Sequence, residues 1–255
     1  MTQELLIQKE ESDGITWLTM NRPEKRNALN LALIENLTTS LKKIGENPAI
    51  RAVIIKAEGS LFCAGLDLEE ALDTNNTMHT AEKLARLFHT LYTLPQTTIA
   101  AVNGGAFAGG AGLMLACDIV LADEKARFAF PEVRRGLVPA LIMALLIRQL
   151  SPRNIRELTL LGEAVDAAKA EQIGLINRYV PKQLLDETAH HTARLCLKGA
   201  PQAMQLTKRL IESLHPGSIS DDFDCALKIH EKARLSSEAE EGLSAFSEKR
   251  KPAWS

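Results

Sequence analysis

At 255 residues the chain is long enough for one large α/β domain, or for a core with a small helical appendage. Hydrophobic residues at 45% and charged residues at 24% exclude a disordered chain, and a net charge of -2 leaves no basic field for nucleic acid. Cys63, Cys117, Cys196 and Cys225 are widely spaced with no CxxC pair, and no histidines have HxxxH spacing, so reduced packed thiols and no metal are expected.

In chain order, strand-like runs fall at residues 5–8, 15–20, 52–55, 98–102 and 119–121. Between them, residues 31–44 carry apolar side chains at helical spacing (Leu31, Leu33, Ile34, Leu37, Leu41, Ile44), and residues 81–94 do the same. A short helical run at 113–117 follows the fourth strand. This alternation predicts an α/β sheet core. The second half reads as helices at 140–150, 154–161, 164–172, 183–197, 201–214 and 220–234, with His215-Pro216-Gly217 separating the last two. Residues 1–6 show no basic stretch leading into an apolar one, so no secretory signal is expected and the expected setting is cytoplasmic. The longest apolar candidate, 137–147, is interrupted by Pro139 and followed by Arg148, which makes it a buried helix and no membrane span.

Three segments carry chemistry. Asn103-Gly104-Gly105-Ala106-Phe107-Ala108-Gly109-Gly110-Ala111-Gly112 follows a strand and leads into a helix. Five glycines among small neighbours leave its amides open to a ligand oxygen, and a helix start aims unpaired N–H groups at one point. The bland alternative is a tight turn with close helix packing. Gly59-Ser60-Leu61-Phe62-Cys63-Ala64-Gly65-Leu66-Asp67-Leu68 leaves another strand, and each loop can offer one backbone N–H to a single ligand oxygen. Downstream, Phe128-Ala129-Phe130-Pro131-Glu132-Val133 sets a carboxylate in an apolar frame, which favours a raised proton affinity.

These segments, with Cys117-Asp118-Ile119, Gly136-Leu137-Val138-Pro139, Asn21-Arg22-Pro23 and the end from Phe246 to Pro252, resemble the crotonase superfamily of enoyl-CoA hydratases and isomerases. The resemblance covers nearly the whole chain. It implies a spiral of repeated ββα units with a helical C-terminal region, divided here as a 1–195 acyl-CoA-binding core and a 196–255 trimerisation region. It implies a homotrimer or a dimer of trimers, a role in fatty acid metabolism, an acyl-CoA substrate, and coenzyme A only as part of that thioester, with no permanently bound cofactor. It places the oxyanion hole at the N–H groups of Leu66 and Gly109 and the acid/base at Glu132. Arg26, Ala28, Ala64, Asp67, Leu68 and Gly110 fall at CoA-contacting positions. Phe246 and Lys249 match positions that in relatives enclose a neighbouring subunit's cofactor. For Arg26 and Lys249 a solvated surface charge is the alternative.

One departure matters. Hydratases of this family with two carboxylates carry a Glu where this chain has Gly112. Isomerisation needs one base only, whereas hydration must also position a water. Gly112 together with the run from Glu132 to Ile142 resembles hydratases of branched, glutaconyl-type CoA esters, in which Arg134 or Arg135 can meet a substrate carboxylate. For both arginines a solvated turn is the leading reading. Hydratase is the leading expectation, Δ3-Δ2 enoyl-CoA isomerase the alternative, and a non-catalytic acyl-CoA binder the second alternative. The polar loop 73–78, with His79 beside it, can be a lid that selects acyl groups or a plain surface connection.

Overall fold

The apolar runs near 15–20, 52–57 and 97–102 leave no face for water, so they must lie in a sheet covered on both sides. The computed structural model describes residues 7–254 apart from 68, 69, 71 and 73–76. Its strands in chain order are β1 (Ile7–Ser12), β2 (Ile15–Met20), β3 (Ala52–Ala57), β4 (Thr97–Val102), β5 (Gly105–Phe107), β6 (Ile119–Asp123), β7 (Arg127–Ala129), β8 (Val165–Asp166) and β9 (Arg178–Val180). The helices are α1 (Leu31–Gly45), α2 (Thr77–Tyr92), α3 (Gly109–Leu115), α4 (Ala140–Gln149), α5 (Pro152–Leu161), α6 (Ala167–Gln172), α7 (Leu185–Cys196), α8 (Pro201–Ser213), α9 (Ile219–Arg234) and α10 (Ser237–Ser247).

A six-stranded sheet has the order β1-β2-β3-β4-β6-β9, parallel except for the β1–β2 pair. A second sheet, β5-β7-β8, stands beside it, completing the ββα spiral with its helical C-terminal region. Side chains alternate across the large sheet. Val53, Ile55, Ala100, Val102 and Val120 enter the main core beneath α1 to α4. Ile15, Ile54, Ile99 and Leu121 face the other way, under Leu185, Ala189 and Ala193 of α7. Helix α1 buries Leu33, Ile34, Leu37, Leu41 and Ile44, and its N-cap Asn30 accepts the Leu33 N–H at 3.0 Å.

Three departures from the sequence reading bear on the site. Strands β5, β7, β8 and β9 have two or three residues each, too short for a periodic signal. Helix α3 starts at Gly109 rather than 113, although glycine is a poor helix former; complete burial of all seven of its residues replaces propensity. Helix α10 was not anticipated, because a central Gly242 and several serines weaken its pattern. Of the predicted elements and loops, residues 5, 6 and 73–76 lie outside the described residues.

The chain after residue 195 packs onto the same core, since Ile219, Phe223 and Ala226 of α9 join the main hydrophobic cluster. A nearly buried Arg148 on α4 pins this region. Its guanidinium pairs with Glu212 at 3.3 Å and with Asp222, and donates to the carbonyls of Gly217 at 2.9 Å and Ala144 at 3.0 Å. Tyr92 from α2 donates to the same Glu212 at 2.9 Å. Arg148→Met strands two carboxylates beside the core, so it is expected to lower stability by about 3 kcal/mol, read from urea unfolding at pH 7.

Candidate active site

The first loop is held on two sides. Phe62 N–H donates to Asn103 O at 2.8 Å and Phe107 N–H to Cys63 O at 3.0 Å, which ties residues 62–63 to Asn103 and β5. Residues 64–67 are tied to the N-terminal segment instead: Ala64 N–H to Arg26 O at 3.1 Å, Leu29 N–H to Gly65 O at 2.8 Å and Asp67 N–H to Leu29 O at 2.9 Å. Because Leu29 engages the carbonyl before Leu66 and the amide after it, the Leu66 N–H is turned to the opposite side.

That side is occupied by the start of α3. A β-carbon built on Gly109 would stand 3.6 Å from the Leu66 nitrogen, and one built on Gly65 3.6 Å from the Gly109 nitrogen. The two amides are therefore neighbours, and the Gly109 N–H, the first of its helix, has no intrahelical acceptor. Ala108 makes the turn between β5 and α3 at φ 47, ψ -124, a conformation costing an L-residue about 1–3 kcal/mol. Its own N–H donates to Ala129 O at 3.0 Å, so β7 holds the strained residue in place.

The same β7 leads through Phe130 and Pro131 to Glu132, which opens a 3-10 turn, Glu132–Arg135. Glu132 is 9% exposed and its Oε2 is buried with no hydrogen-bond partner. Burial pushes its pKa up to about 7, against smaller opposing pulls from its own backbone N–H and from Arg135. Leu137, whose N–H donates to Glu132 O at 3.0 Å, lines a cavity of about 60 Å³ together with Leu66, Leu84, Leu141 and Leu243. The cavity surface is mostly apolar, with Glu70, His230 and Arg234 also at its wall, and it lies between Leu66 of the first loop and Leu137, which follows the Glu132 turn. At about 10–15 Å³ per water-sized particle it holds roughly four to six such particles.

Gly110 faces Cys63: a β-carbon there would lie 2.7 Å from Cys63 Cβ and 2.8 Å from its Sγ. Gly110→Ala should separate α3 from the 63–66 loop and cost about 1–3 kcal/mol by overpacking. Turnover should drop at least about tenfold as the amides part, with thioester affinity changing less. Gly112 faces Phe88, whose buried ring would lie 2.6 Å from an added β-carbon at Cζ. An aromatic ring thus fills the space beside the position where two-carboxylate relatives carry their first Glu.

The remaining expected site residues fall into two groups. Arg26, Ala28, Ala64 and Asp67 come together where 26–29 pairs with 64–67; Arg26 is exposed, whereas Asp67 is buried and paired with Arg22 at 2.6 Å. Phe246 and Lys249 lie at the end of α10, and the Phe246 ring stacks against Arg135 of its own chain, 4.0 Å from Cζ to ring centroid. Arg134 is drawn away, to Leu161 O at 2.9 Å and Glu163 at 3.2 Å. Leu68 lies outside the described residues. Sequence reasoning missed Asn27. Buried at φ 52, it donates to Glu58 O at 2.9 Å and Leu61 O at 2.8 Å and accepts Arg22 N–H at 2.9 Å, bracing the first loop. Asn tolerates that backbone conformation better than most residues, which is the only local signal it leaves. Cys63 donates its thiol to Asn27 O, and burial pushes its pKa up to about 12, so it is inert packing. No group of three or more His, Cys, Asp or Glu side chains among the described residues is placed to hold a metal.

A family model described as enoyl-CoA hydratase/isomerase matches residues 10–255. This chain belongs to that family. The mevalonyl-coenzyme A hydratase of Aspergillus fumigatus is 37% identical over 94% of this chain and 91% of its own length. The 2,3-dehydroadipyl-CoA hydratase of Escherichia coli is 31% identical over 98% and 97%. A crystal structure of an enoyl-CoA hydratase from Mycobacterium avium superposes with a TM-score of 0.88 at 32% identity, covering 99% of this chain and 100% of that one. The chain is thus an enoyl-CoA hydratase/isomerase family enzyme of the crotonase superfamily.

Proposed function

We propose that this family member is a hydratase of short 2-enoyl-CoA esters that uses Glu132 as its one acid/base group. The observation that carries the reading is the buried carboxylate of Glu132, unpartnered at Oε2 and with its pKa raised to about 7, at the end of the β7 segment whose Ala129 carbonyl also holds Ala108, the residue before the Gly109 amide. A carboxylate in that state has proton affinity matched to neutral pH and no structural partner to satisfy. In the proposed reaction Glu132 takes a proton from water while the oxygen adds to C3. The displaced electron pair moves through C2 to the thioester oxygen, and the N–H groups of Leu66 and Gly109 hold the resulting enolate. Glu132 then returns its proton to C2. The hydratase names of the relatives favour this direction.

Phe88 against Gly112 favours a second reading, because it leaves one carboxylate where the two-carboxylate hydratases of the family have two. As a Δ3-Δ2 isomerase, Glu132 would remove the C2 proton of a 3-enoyl thioester and return it at C4. A purely non-catalytic binder would have no use for an unpartnered buried carboxylate, which destabilises the fold. The purified protein should be assayed with crotonyl-CoA and 3-methylglutaconyl-CoA for loss of the conjugated enoyl absorbance, and with a 3-enoyl-CoA for its gain. Loss with either 2-enoyl ester supports the hydratase; gain alone makes it an isomerase; silence on all three overturns both readings.

The reading includes assembly into trimers. Helix α8 buries none of its residues, and Leu206, Leu210, Ile211 and Leu214 are each more than half exposed along it and just past its end. An apolar row of that kind needs a protein partner, and further copies of this chain are the proposed one. Light scattering is expected to give a trimer or a multiple of it, and Leu210→Glu with Ile211→Glu to give monomers; a wild-type monomer refutes the proposal.

A further inference from the structure

The turn that presents Glu132 is clamped by the C-terminal helix. Gly242 of α10 lies directly against the backbone of Arg135, and Gly136 lies against the backbone carbonyl of Glu238, so a β-carbon at either glycine would collide with main chain. Four residues beyond Gly242, and therefore on the same face of α10, Phe246 places its ring 4.0 Å from the Arg135 guanidinium. One helix face thus touches Arg135 twice, at its backbone and at its charge.

Arg135 differs from its neighbour. Arg134 is consumed by Leu161 and Glu163, but the Arg135 guanidinium has no hydrogen bond or ion pair within 4 Å among the described residues. It is partly buried, with the Phe246 ring on one side and Glu132 as its charge partner. A half-buried cation without a carboxylate ligand is costly unless its position serves something.

We propose that Arg135 is a positioning residue for the acid/base Glu132, held at a stand-off from the carboxylate by the Phe246 ring of α10. This rests on the reading of Glu132 as the acid/base. The stand-off has a clear rationale. A direct ion pair would keep the carboxylate ionised far below neutral pH and weaken it as a proton donor. With no cation nearby, the carboxyl would keep its proton more tightly and be a less available base at neutral pH. A tethered guanidinium leaves it between these limits.

The other charges around the turn do not take this part. Glu241 and Glu248 of α10 are both engaged by Arg250, and Arg134 points to α5. On the cavity side stand His230 and Arg234 of α9 and Glu70, whose Oε1 accepts the Leu31 N–H. Arg135 instead shares the turn with Glu132, three residues on and so on the same face of the 3-10 turn, where its positive charge draws the carboxyl's pKa down.

The test reads the Glu132 carboxyl directly, by carbon NMR titration of protein labelled at glutamate Cδ, with Glu132→Gln supplying the assignment. Arg135→Gln is expected to raise the midpoint by roughly 0.5–1 pH unit. Phe246→Leu should raise it by less, because the untethered guanidinium moves into solvent, and Phe246→Trp should leave it unchanged. The acidic limb of kcat/KM against pH should move with the midpoint in each variant. An unchanged midpoint in Arg135→Gln or Phe246→Leu overturns the proposal, as does a downward move in Phe246→Leu or an equal move in Phe246→Trp. A uniform loss of rate at every pH would reduce the contact to packing. Circular dichroism identifies any variant that misfolds; Arg135→Lys, which keeps the charge, then replaces Arg135→Gln with an unchanged midpoint as the required result. Activity surviving in Glu132→Gln would instead remove the acid/base reading, and the titration would still report on Arg135.

Discussion

Glu132→Gln is expected to lower turnover by roughly 10²- to 10⁴-fold, at the upper end if one carboxylate both takes and returns the proton. Binding of CoA esters should persist, because glutamine keeps the shape of the side chain and the amides of Leu66 and Gly109 are untouched. The same substitution is expected to stabilise the protein at alkaline pH. Glu132 has its folded pKa raised to about 7 from an ordinary 4.5, so the fold prefers its protonated form. Its contribution is fully present below about pH 4.5 and is lost as pH rises through 7. The loss amounts to about 3 kcal/mol when complete. Denaturant unfolding at pH 5 and pH 8 should therefore show little difference between wild type and variant at the lower pH. At the higher pH the variant should be more stable by a few kcal/mol. Equal stability at both pH values would mean that the carboxylate is not desolvated as the structure has it. Full activity in the variant would remove Glu132 from the chemistry.

Installing the second carboxylate of the two-glutamate hydratases, by Gly112→Glu, is expected to damage this protein rather than improve it. The new β-carbon would lie 2.6 Å and 2.7 Å from two carbons of the Phe88 ring, and Ile142 Cγ1 is at 3.3 Å. Phe88 is fully buried, so its ring cannot swing into solvent. Overpacking adds about 1–3 kcal/mol, and burying a further unpartnered carboxylate adds several more, for a loss of about 5 kcal/mol or an unfolded chain. Phe88→Ala in the same molecule opens the space. The double variant should therefore be less destabilised than the sum of the two single changes, with a coupling of about 1–3 kcal/mol in a double-mutant cycle. Additive losses would show that Phe88 does not occupy the region in question.

The two expectations differ in how much of each could be read from the chain. Glu132 announces itself locally: Phe128, Phe130 and Pro131 are neighbours in sequence, and an apolar frame around one acidic residue is a pattern of adjacent positions. The helix over 31–45 is legible for the same reason, since five buried side chains repeat at helical spacing. Phe88 against Gly112 has no such signature. The two residues come together only because α2 and α3 lie on the same side of the sheet, and no pattern along either segment encodes that approach. Asp67 shows a related limit: as a loop residue it reads as available to a ligand, but Arg22, far away in sequence, pairs with it.

What the sequence by itself determined is the local part. It marked the alternation of buried strands with amphipathic helices, the glycine-rich strand exits and the apolar setting of Glu132, and the order of these motifs along the chain carried the family resemblance. The tertiary structure alone decided which groups meet. It set the Leu66 and Gly109 amides side by side through hydrogen bonds from three separate segments, and began α3 within a run of glycines that packing, not propensity, makes helical. It also filled the Gly112 region with Phe88 and brought Phe246 of α10 onto Arg135 in the Glu132 turn. Helix and strand periods follow from backbone geometry repeated over a few residues, so they are written in short windows of sequence. Contacts between windows depend on how whole elements stack, which is settled by the burial of the entire core at once.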